Sequence, residues 1–330
     1  MLKRRIESKI MSNPDYVVSA NNADRVMEGL NSPFRYPGGK FYARKLILEH
    51  IPRHKHYGEP FAGGASIFFA KGKVTGNWLN DADAELINCY LHIRDNVEDL
   101  IVLLHGIKAS KENHGYYKNE FQPANDLERA FRWYYLNRTS YSGIMKMANC
   151  YWGYGDIYSM RPENWPGHLR RCSAKLQDVT ITSFDFETMI EEVPDGSFLF
   201  IDPPYYNADQ NKFYTCSFGH EDHLRLEAIL RKHSWRVKFL LTYDNSTEVR
   251  GLYGWATRIL DKKWNYTINR TDDQTGKTND KGKRYQGKEI FILNFDPGFY
   301  CEQSVLGMIE DHQATASSDH LPAAQPACGG

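Results

Sequence analysis

The fold of this chain can be predicted from one stretch of sequence, Ser197-Phe198-Leu199-Phe200-Ile201-Asp202-Pro203-Pro204-Tyr205-Tyr206. The part before Asp202 is a continuous apolar run, as in a parallel strand that is covered on both faces. Two prolines follow Asp202, so the backbone there lacks two N–H donors and is stiff. A buried strand that delivers a carboxylate to its C-terminal end is typical of an open α/β sheet, which binds ligands at that end.

A related pattern lies upstream, in the first third of the chain. His56–Phe61 predicts a short strand, and it runs into the glycine turn Glu59–Ser66 ahead of a helix. Val74–Leu79 predicts a second strand that ends just before Asp81, and Asp83–Ile93 has helical spacing of its apolar residues. Strand, glycine turn, helix, strand, acidic residue and helix, in this order, open a doubly wound α/β sheet.

The same alternation resumes after a long insertion. The later predicted elements are strands at 179–183, 197–201, 237–243, 255–260 and 289–295 and helices at 186–192 and 221–233. We therefore predict an α/β fold with one Rossmann-like sheet whose two halves are separated by the insertion.

Size and composition limit the class of protein. With 330 residues, 41% hydrophobic and 25% charged, the chain can form a sizeable core and has an ordinary globular composition. No apolar run approaches the roughly 20 residues that a membrane helix requires. The six cysteines are scattered, which predicts a reducing cytoplasm and neither a disulfide framework nor a metal site. A net charge of zero argues against simple electrostatic coating of DNA and leaves room for a local basic surface.

The insertion combines basic and aromatic residues. Between Arg129 and Lys175 there are eight Lys and Arg residues, two acidic residues and ten Phe, Trp and Tyr residues. This composition suits phosphate neutralisation and base stacking, and the alternative is a helical insertion whose aromatic residues form a core. Lys262–Lys288 is also basic, and it predicts either a loop that grips a DNA backbone or an ordinary solvated hairpin loop.

The stretch at Asp202 contains the groups that methylation of an aromatic amine requires. The lone pair of such an amine is delocalised into the ring, so the nitrogen is a poor nucleophile. Hydrogen bonds from its two hydrogens to the Asp202 carboxylate and the Pro203 carbonyl would favour a pyramidal nitrogen that can attack a methyl group in line. Tyr205 supplies a face on which an extruded base can stack. The alternative is a structural Asp-Pro-Pro turn.

Three motifs, taken in order, resemble the Dam-like D12 class of adenine-N6 DNA methyltransferases in the alpha arrangement. They are Phe34-Arg35-Tyr36-Pro37-Gly38-Gly39-Lys40, the Glu59–Ser66 turn and Asp202–Tyr205. The resemblance runs from about Ser32 to Phe295, with Ala65 where many relatives carry glycine. It implies a class I methyltransferase fold and transfer of a methyl group from S-adenosylmethionine to the N6 amine of a flipped adenine in double-stranded DNA.

The resemblance also implies roles for individual residues. The catalytic residues would be Asp202, Pro203, Pro204 and Tyr205. Those expected at the cofactor are Tyr36, Gly38, Gly39, Lys40, Glu59, Phe61, Gly63, Gly64, Asp81, Asp185, Phe186 and Asp202. Tyr135–Gly143 resembles the Asn-Arg segment that leads into the family's DNA-reading hairpin, and the expected DNA contacts are Asn137, Arg138, Tyr141, Ser142 and Lys146.

These interpretations predict the organisation of the chain and its partners. We expect an N-terminal arm over 1–31, a catalytic domain over 32–99 and 176–300, a mostly helical target-recognition insertion over 100–175, and a disordered tail over 301–330. The expected partners are double-stranded DNA and a cognate restriction endonuclease. We expect a monomer in the cytoplasm of a prokaryote, encoded by the cell or by a phage.

Other functions agree with part of the pattern. Cytosine-N4 methylation is disfavoured by Asp rather than Ser at position 202, and methylation of RNA or of a protein glutamine is disfavoured by the basic, aromatic insertion. A nicotinamide-dependent oxidoreductase is disfavoured because the glycine turn lacks the G-x-G-x-x-G spacing. A DNA-binding module that has lost turnover would have the same fold, but Asp202, Lys40 and Asp81 are all present.

Overall fold

The apolar stretch before Asp202 forms a strand in the interior of a mixed sheet. The structure is a computed structural model, and it describes residues 30–155, 159–207, 215–265 and 286–297. Almost all of the predicted arm, the central part of the Lys262–Lys288 segment and the predicted tail lie outside the described residues.

Seven strands form the sheet within the described residues. In chain order they are β1 (His56–Glu59), β2 (Gly76–Asn80), β3 (Val179–Thr182), β4 (Phe198–Ile201), β5 (Lys238–Asp244), β6 (Arg258–Asn265) and β7 (Gln286–Leu293). Their order across the sheet is β3-β2-β1-β4-β5-β7-β6. The first five are parallel, and β7 lies antiparallel between β5 and β6. The predicted Rossmann-like fold class is confirmed.

Ten α-helices accompany the sheet in the described parts of the chain. They are α1 (Arg44–Glu49), α2 (Ser66–Ala70), α3 (Ala84–Asp95), α4 (Val97–Leu104), α5 (Lys111–Asn119), α6 (Asp126–Thr139), α7 (Trp165–Leu176), α8 (Phe186–Glu192), α9 (His220–His233) and α10 (Thr247–Leu252). In several helices, the side chain of the residue just before the first turn fixes where the helix begins. Asp83, for example, accepts hydrogen bonds from the backbone N–H groups of Glu85 and Leu86 at the start of α3. None of these described helices is long and apolar enough to cross a membrane.

The centre of the sheet determines where a ligand can bind. All four residues of β4 are buried, as its apolar sequence predicts. β1 pairs with β2 on one side and with β4 on the other, so the chain connections diverge at this point. Such a switch point leaves a crevice beyond the carboxyl ends of the two strands. In this chain β1 ends at Glu59, and β4 ends immediately before Asp202.

The insertion is mostly helical, and the aromatic side chains of α6 and α7 are core residues. Trp133, Tyr134 and Tyr135 of α6 and Trp165 of α7 are buried. By contrast, Tyr141 is 48% exposed. The interpretation of the aromatic residues as core therefore holds for α6 and α7, and the segment after α6 keeps aromatic surface for a ligand.

One predicted strand is shifted along the sequence from the strand that the structure shows, β6. The apolar pattern predicted a strand over Trp255–Leu260, but β6 begins at Arg258 and continues to Asn265. Trp255 packs edge-on against Phe239 instead. The reason is the antiparallel pairing with β7, whose register runs from Arg258 opposite Leu293 to Asn265 opposite Gln286. The predicted helix over 186–192 has the observed bounds of α8.

Candidate active site

A cleft lies at the switch point, beyond the carboxyl ends of β1 and β4. It encloses about 1010 Å³, counting the space at its open mouth. Eleven of the residues expected at a cofactor line it, namely Tyr36, Gly39, Lys40, Glu59, Phe61, Gly63, Gly64, Asp81, Asp185, Phe186 and Asp202. Gly38 is the expected residue that does not line it. Of the rest of the tetrad, Pro204 lines the cleft, and Pro203 and Tyr205 do not. The fold thus brings separate sequence motifs to one cavity.

The glycine turn after β1 forms one wall of the cleft together with Tyr36. A Cβ atom at Gly63 would lie 2.9 Å from Cε1 of Tyr36, and the φ of Gly63 is +45°, so only glycine fits here without strain. Ala65 adopts a φ of +47° at the start of α2, so the alanine found where many relatives have glycine is accommodated in a left-handed conformation. The turn is held from behind by the Tyr90 hydroxyl, which donates to the Gly63 carbonyl at 2.9 Å.

Glu59 lies at the floor of the cleft as a buried carboxyl group. Its Oε1 accepts from the Tyr57 hydroxyl at 2.7 Å and from the Phe68 N–H at 2.8 Å. Burial raises its pKa to about 8, against the lowering effect of these two hydrogen bonds. Glu59 is therefore a fixed, largely protonated acceptor and donor at neutral pH.

Asp81 stands at the end of β2, as the sequence predicted. Its Oδ2 accepts from the Gly63 N–H at 2.8 Å, and its Oδ1 accepts from the Asp83 N–H at 3.0 Å. Burial raises its pKa to about 6, while these backbone donors lower it. Each carboxylate oxygen has a second lone pair, so the oriented group can also accept from ligand hydroxyls.

Aromatic rings and one arginine surround the far end of the cleft. Phe61 and Phe186 stack at 5.3 Å with an interplanar angle of 29°. Asp185 caps α8 by accepting from the Glu187 N–H at 2.9 Å, and it accepts from Arg225 at 2.8 Å. Arg225 also lies 4.9 Å from the centre of the Phe186 ring. Arg225 was not predicted from the sequence; its i, i+3 spacing from Asp222, with which it forms an ion pair, was the available signal.

Asp202 is held by two side chains that come from distant parts of the chain. The Lys40 ammonium lies 2.7 Å from its Oδ1 and 2.8 Å from its Oδ2. The hydroxyl of Thr242, buried in β5, donates to Oδ1 at 2.7 Å. The side chain of Lys40 is 3% exposed and that of Asp202 is 20% exposed. The carboxylate is thus fixed in one orientation and keeps contact with the cleft.

The chain that leaves the tetrad is anchored by Asp244 at the end of β5. Its Oδ1 accepts from the Tyr206 N–H at 3.0 Å, and its Oδ2 accepts from the Asn207 amide at 2.9 Å. Tyr205 packs against Tyr243 with ring centres 6.0 Å apart. Neither Asp244 nor Tyr243 was singled out from the sequence, because their contact with the tetrad depends on β4 and β5 being neighbours.

The residues expected to contact DNA fall into two environments, and none of them lines the cleft. Asn137 is fully buried; its Oδ1 accepts from the Arg35 N–H at 2.9 Å and its Nδ2 donates to the Arg35 carbonyl at 2.7 Å. Arg138 is 6% exposed, and its Nε is buried with no hydrogen-bond partner in the part of the chain that the structure describes. Tyr141 is exposed, whereas Ser142 and Lys146 are half-buried.

The expected DNA-reading hairpin is a short antiparallel pairing after α6. Ser140 and Trp152 form an isolated bridge, and the Tyr141 N–H donates to the Tyr151 carbonyl at 2.8 Å. Gly143 has a φ of +74°, and a Cβ atom there would lie 2.1 Å from the Arg35 carbonyl oxygen. This segment is therefore packed directly against the Phe34–Lys40 motif that leads into the cleft.

Comparison with known proteins agrees with this geometry. The sequence model of the D12 class N6 adenine-specific DNA methyltransferase family matches residues 36–268. A type II methyltransferase, M1.LlaDCHI of Lactococcus lactis subsp. cremoris, is 28% identical over 301 residues, which are 80% of this chain and 95% of that protein. The DNA N-6-adenine-methyltransferase of Escherichia phage P1 is 31% identical over 67% of this chain and 31% of its own length. The DNA adenine methylase of Haemophilus influenzae is 26% identical over 57% of this chain and 69% of its own length.

The family match includes the glycine turn, Asp81, the insertion and the Asp202–Tyr205 tetrad. The same residues form the cleft and its surroundings in the structure. The chain is an enzyme that belongs to the D12 class of N6 adenine-specific DNA methyltransferases.

Proposed function

We propose that the cleft binds S-adenosylmethionine and that Asp202 presents the N6 amine of an adenine, extruded from double-stranded DNA, to the methyl group. The observation that carries the proposal is the placement of Asp202. Its carboxylate lines the cleft and is held in a single orientation by Lys40 and Thr242. A preorganised acceptor at this position is what attack by a weakly nucleophilic amine requires.

The residues of the cleft fit the proposed cofactor. Asp81 offers oriented acceptor oxygens to ribose hydroxyls, and the stacked rings of Phe61 and Phe186 offer apolar faces to an adenine. Asp185, fixed by Arg225, can accept from the exocyclic amine of that adenine. Tyr36 packs on the glycine turn, where the backbone allows close approach of a ligand. When bound, S-adenosylmethionine supplies an electrophilic methyl group on a sulfonium sulfur.

The tetrad then handles the target amine. We expect Asp202 and the Pro203 carbonyl to accept from the two N6 hydrogens, which frees the nitrogen lone pair from the ring. As the nitrogen becomes tetrahedral, its proton becomes acidic and passes to Asp202 or to water, so no strong base is needed. Tyr205 offers a stacking face for the extruded base. Lys40 and Thr242 are buried, so they shield from water the side of Asp202 that they contact.

We propose residues 100–175 as the target-recognition region, with the surface around Tyr141 as its DNA contact. Burial, and after it the neighbouring Arg138 guanidinium, lower the pKa of Arg35. Two neighbouring guanidinium groups repel each other unless an anion lies between them, and a DNA phosphate is such an anion. Tyr141, Ser142 and Lys146 would contact the duplex, while Asn137 fixes the Arg35 backbone beneath them.

Three of the similar proteins carry the name type II methyltransferase. On this ground we also propose a cognate restriction endonuclease as partner, which would cleave the same site when it is unmethylated. DNA from cells that express this chain should then resist that endonuclease.

The test is methyl transfer to unmethylated plasmid DNA from S-adenosylmethionine with a labelled methyl group. We expect N6-methyladenine in the hydrolysed DNA by mass spectrometry, and modification-sensitive sequencing should place it at one short motif. Inhibition by S-adenosylhomocysteine but not by a nicotinamide dinucleotide would support the cofactor assignment. Tight DNA binding without transfer would instead support the non-catalytic module, and N4-methylcytosine would overturn the assignment of the base.

A further inference from the structure

A buried glutamate lies behind the tetrad, outside the cleft and beyond the residues that the family model matches. Glu289 is in β7, directly opposite Asp244 of β5 and Lys262 of β6 in the two strand registers. Its side chain is 2% exposed. The match to the family ends at residue 268 and does not extend to this position.

One carboxyl oxygen of Glu289 accepts a hydrogen bond from the tetrad residue Tyr205. Its Oε2 lies 2.5 Å from the hydroxyl oxygen of Tyr205. The other oxygen, Oε1, is buried and has no hydrogen-bond partner among the described residues. Burying a carboxyl group in this way is costly, and a side chain with no polar atoms would fill the same space at lower cost. The packing of β7 therefore does not by itself account for the carboxyl group.

The charges around Glu289 indicate its protonation state. Asp202 and Asp244 face it as negative groups, and Lys40 faces it as a positive one. Burial is the largest effect, and it raises the pKa of Glu289 to about 8. At neutral pH the group is mostly a neutral carboxylic acid, so it can hold the Tyr205 hydroxyl without adding a second negative charge beside Asp202.

Tyr205 needs a fixed orientation if it is to stack on a base. Its ring has Tyr243 on one side at 6.0 Å and the Lys40 ammonium 5.0 Å from its centre. These contacts restrict where the ring lies, and the hydroxyl bond to Glu289 adds a directional restraint at its far end. A misplacement of about 1 Å at a reacting centre can lower a rate about a hundredfold.

We propose that Glu289 is a positioning residue for the methyl transfer. It holds the Tyr205 hydroxyl, and through it the ring, in the orientation that stacks on the target adenine. The inference rests on the proposed function of the tetrad, because it assigns Glu289 a part in the same step.

The experiment compares single-turnover methylation rates of the full-length enzyme and four variants, E289A, E289Q, Y205F and the double variant Y205F/E289A. We expect E289A to lower the rate about ten- to a hundredfold, with S-adenosylhomocysteine binding unchanged. E289Q should recover most of the rate, because its amide oxygen still accepts from the Tyr205 hydroxyl. The double variant should be no slower than the slower single variant, since both changes remove the same bond.

Each alternative outcome has a distinct meaning. A wild-type rate in E289A, or multiplied losses in the double variant, would overturn the inference. If E289A does not fold, E289L and Y205F/E289L take its place in the same comparison, because leucine fills the space and cannot accept from the Tyr205 hydroxyl. E248A, which removes an exposed carboxylate in α10, is the matched control and should keep the wild-type rate. Absence of methylation by the wild-type enzyme would contradict the proposed function rather than the role of Glu289.

Discussion

At the scale of single residues, Asp202 is fixed before any substrate arrives. A cation on one side and a hydroxyl on the other hold both of its oxygens. An acceptor that is already oriented need not reorganise during the reaction, and this is where much of an enzyme's rate enhancement arises. Lys40 belongs to the first motif of the chain, so the same ion pair also joins that motif to the tetrad. The side chain of Lys40 is 3% exposed, so the pair is largely shielded from water.

We predict that D202N abolishes methylation, with a loss of roughly a thousandfold or more, because the amide can no longer take up the proton or accept at both positions. Binding of S-adenosylhomocysteine, measured by calorimetry, should change little, since Asp81, Phe61 and Asp185 are untouched. D195N, an exposed aspartate in the turn before β4, is the control. Turnover near the wild-type level in D202N would remove Asp202 from the chemistry.

The sequence predicted the residues of the cleft better than it predicted their partners. Asp202, Asp81 and the glycine turn were predictable because each follows a recognisable strand. The contact between Lys40 and Asp202 joins residues 162 positions apart, and no local pattern can indicate it. Asn137 was expected at a DNA surface but is buried in α6. The signal was present in the unbroken run Trp133-Tyr134-Tyr135-Leu136, which is typical of a helix covered on all sides.

At the scale of elements, β7 has a role that periodicity alone could not reveal. The alternating pattern over 289–295 predicted a strand but not its neighbours, since an alternating pattern does not specify pairing partners. The structure inserts β7 between β5 and β6 and so places Glu289 beside Tyr205. Of the site residues that the sequence did not indicate, Thr242, Tyr243 and Asp244 lie on β5 and Glu289 lies on β7, whereas Arg225 lies on α9.

We predict that G143A impairs DNA recognition selectively. The added methyl group would overlap the Arg35 carbonyl and the residue would need a φ of +74°, so the segment after α6 has to move. The affinity of the variant for a duplex that contains the recognition motif should fall about tenfold or more. Its affinity for S-adenosylhomocysteine should equal that of the wild type. Fluorescence anisotropy of a labelled duplex measures the first quantity and calorimetry the second.

G106A is the matched control for this prediction. Gly106 also has a positive φ, +75°, but a Cβ atom there meets nothing within 4 Å. Any general cost of the left-handed conformation is therefore present in G106A without the overlap. Equal loss of DNA affinity in the two variants would show that the Gly143 segment has no special part in recognition.

At the scale of the whole described molecule, the insertion packs against the residues that lead into the cleft. Phe34 is buried between Tyr90 of α3 and Trp133 of α6, with ring centres 4.6 and 4.7 Å away. The next residue, Arg35, is bound through its backbone to Asn137, and the one after it, Tyr36, lines the cleft. Displacement of the insertion by DNA would therefore act on the cleft through three consecutive residues.

Buried titratable groups should also set the pH dependence of stability. The carboxyl groups of Glu59 and Glu289 each have a pKa of about 8, raised by burial. Both hold a proton in the folded protein at pH 7 that they lose in the unfolded chain. Burial lowers the pKa of five described histidines below the usual 6.5, that of His223 to about 4; the other four are His50, His114, His168 and His233. These histidines stay neutral when the unfolded chain takes up protons.

The histidines affect stability below pH 6.5, whereas the two carboxyl groups affect it both below and above this value. Below that value, falling pH protonates these histidines more in the unfolded chain than in the folded protein and so lowers stability, and the carboxyl groups oppose this effect down to about pH 4.5. Above it the histidines are neutral in both states. Buried thiols with a raised pKa, such as Cys89 and Cys172, begin to act near pH 8.5 with the same sign as the carboxyl groups, and at lower pH the two raised carboxyl groups determine the slope. Their contribution is present in full below the pKa of the unfolded state and is lost as pH rises through about 8.

We therefore predict that the free energy of unfolding falls between pH 6.5 and pH 8.5, by at most about 1.4 kcal/mol per pH unit for each of the two carboxyl groups. Urea denaturation at constant ionic strength, in the presence of a thiol reductant, measures this slope. E59Q and E289Q should each flatten it, because an amide does not titrate, and the exposed variant E248Q should keep the wild-type slope. A wild-type stability that is constant or rises over this interval would mean that the two buried carboxyl groups are ionised at neutral pH.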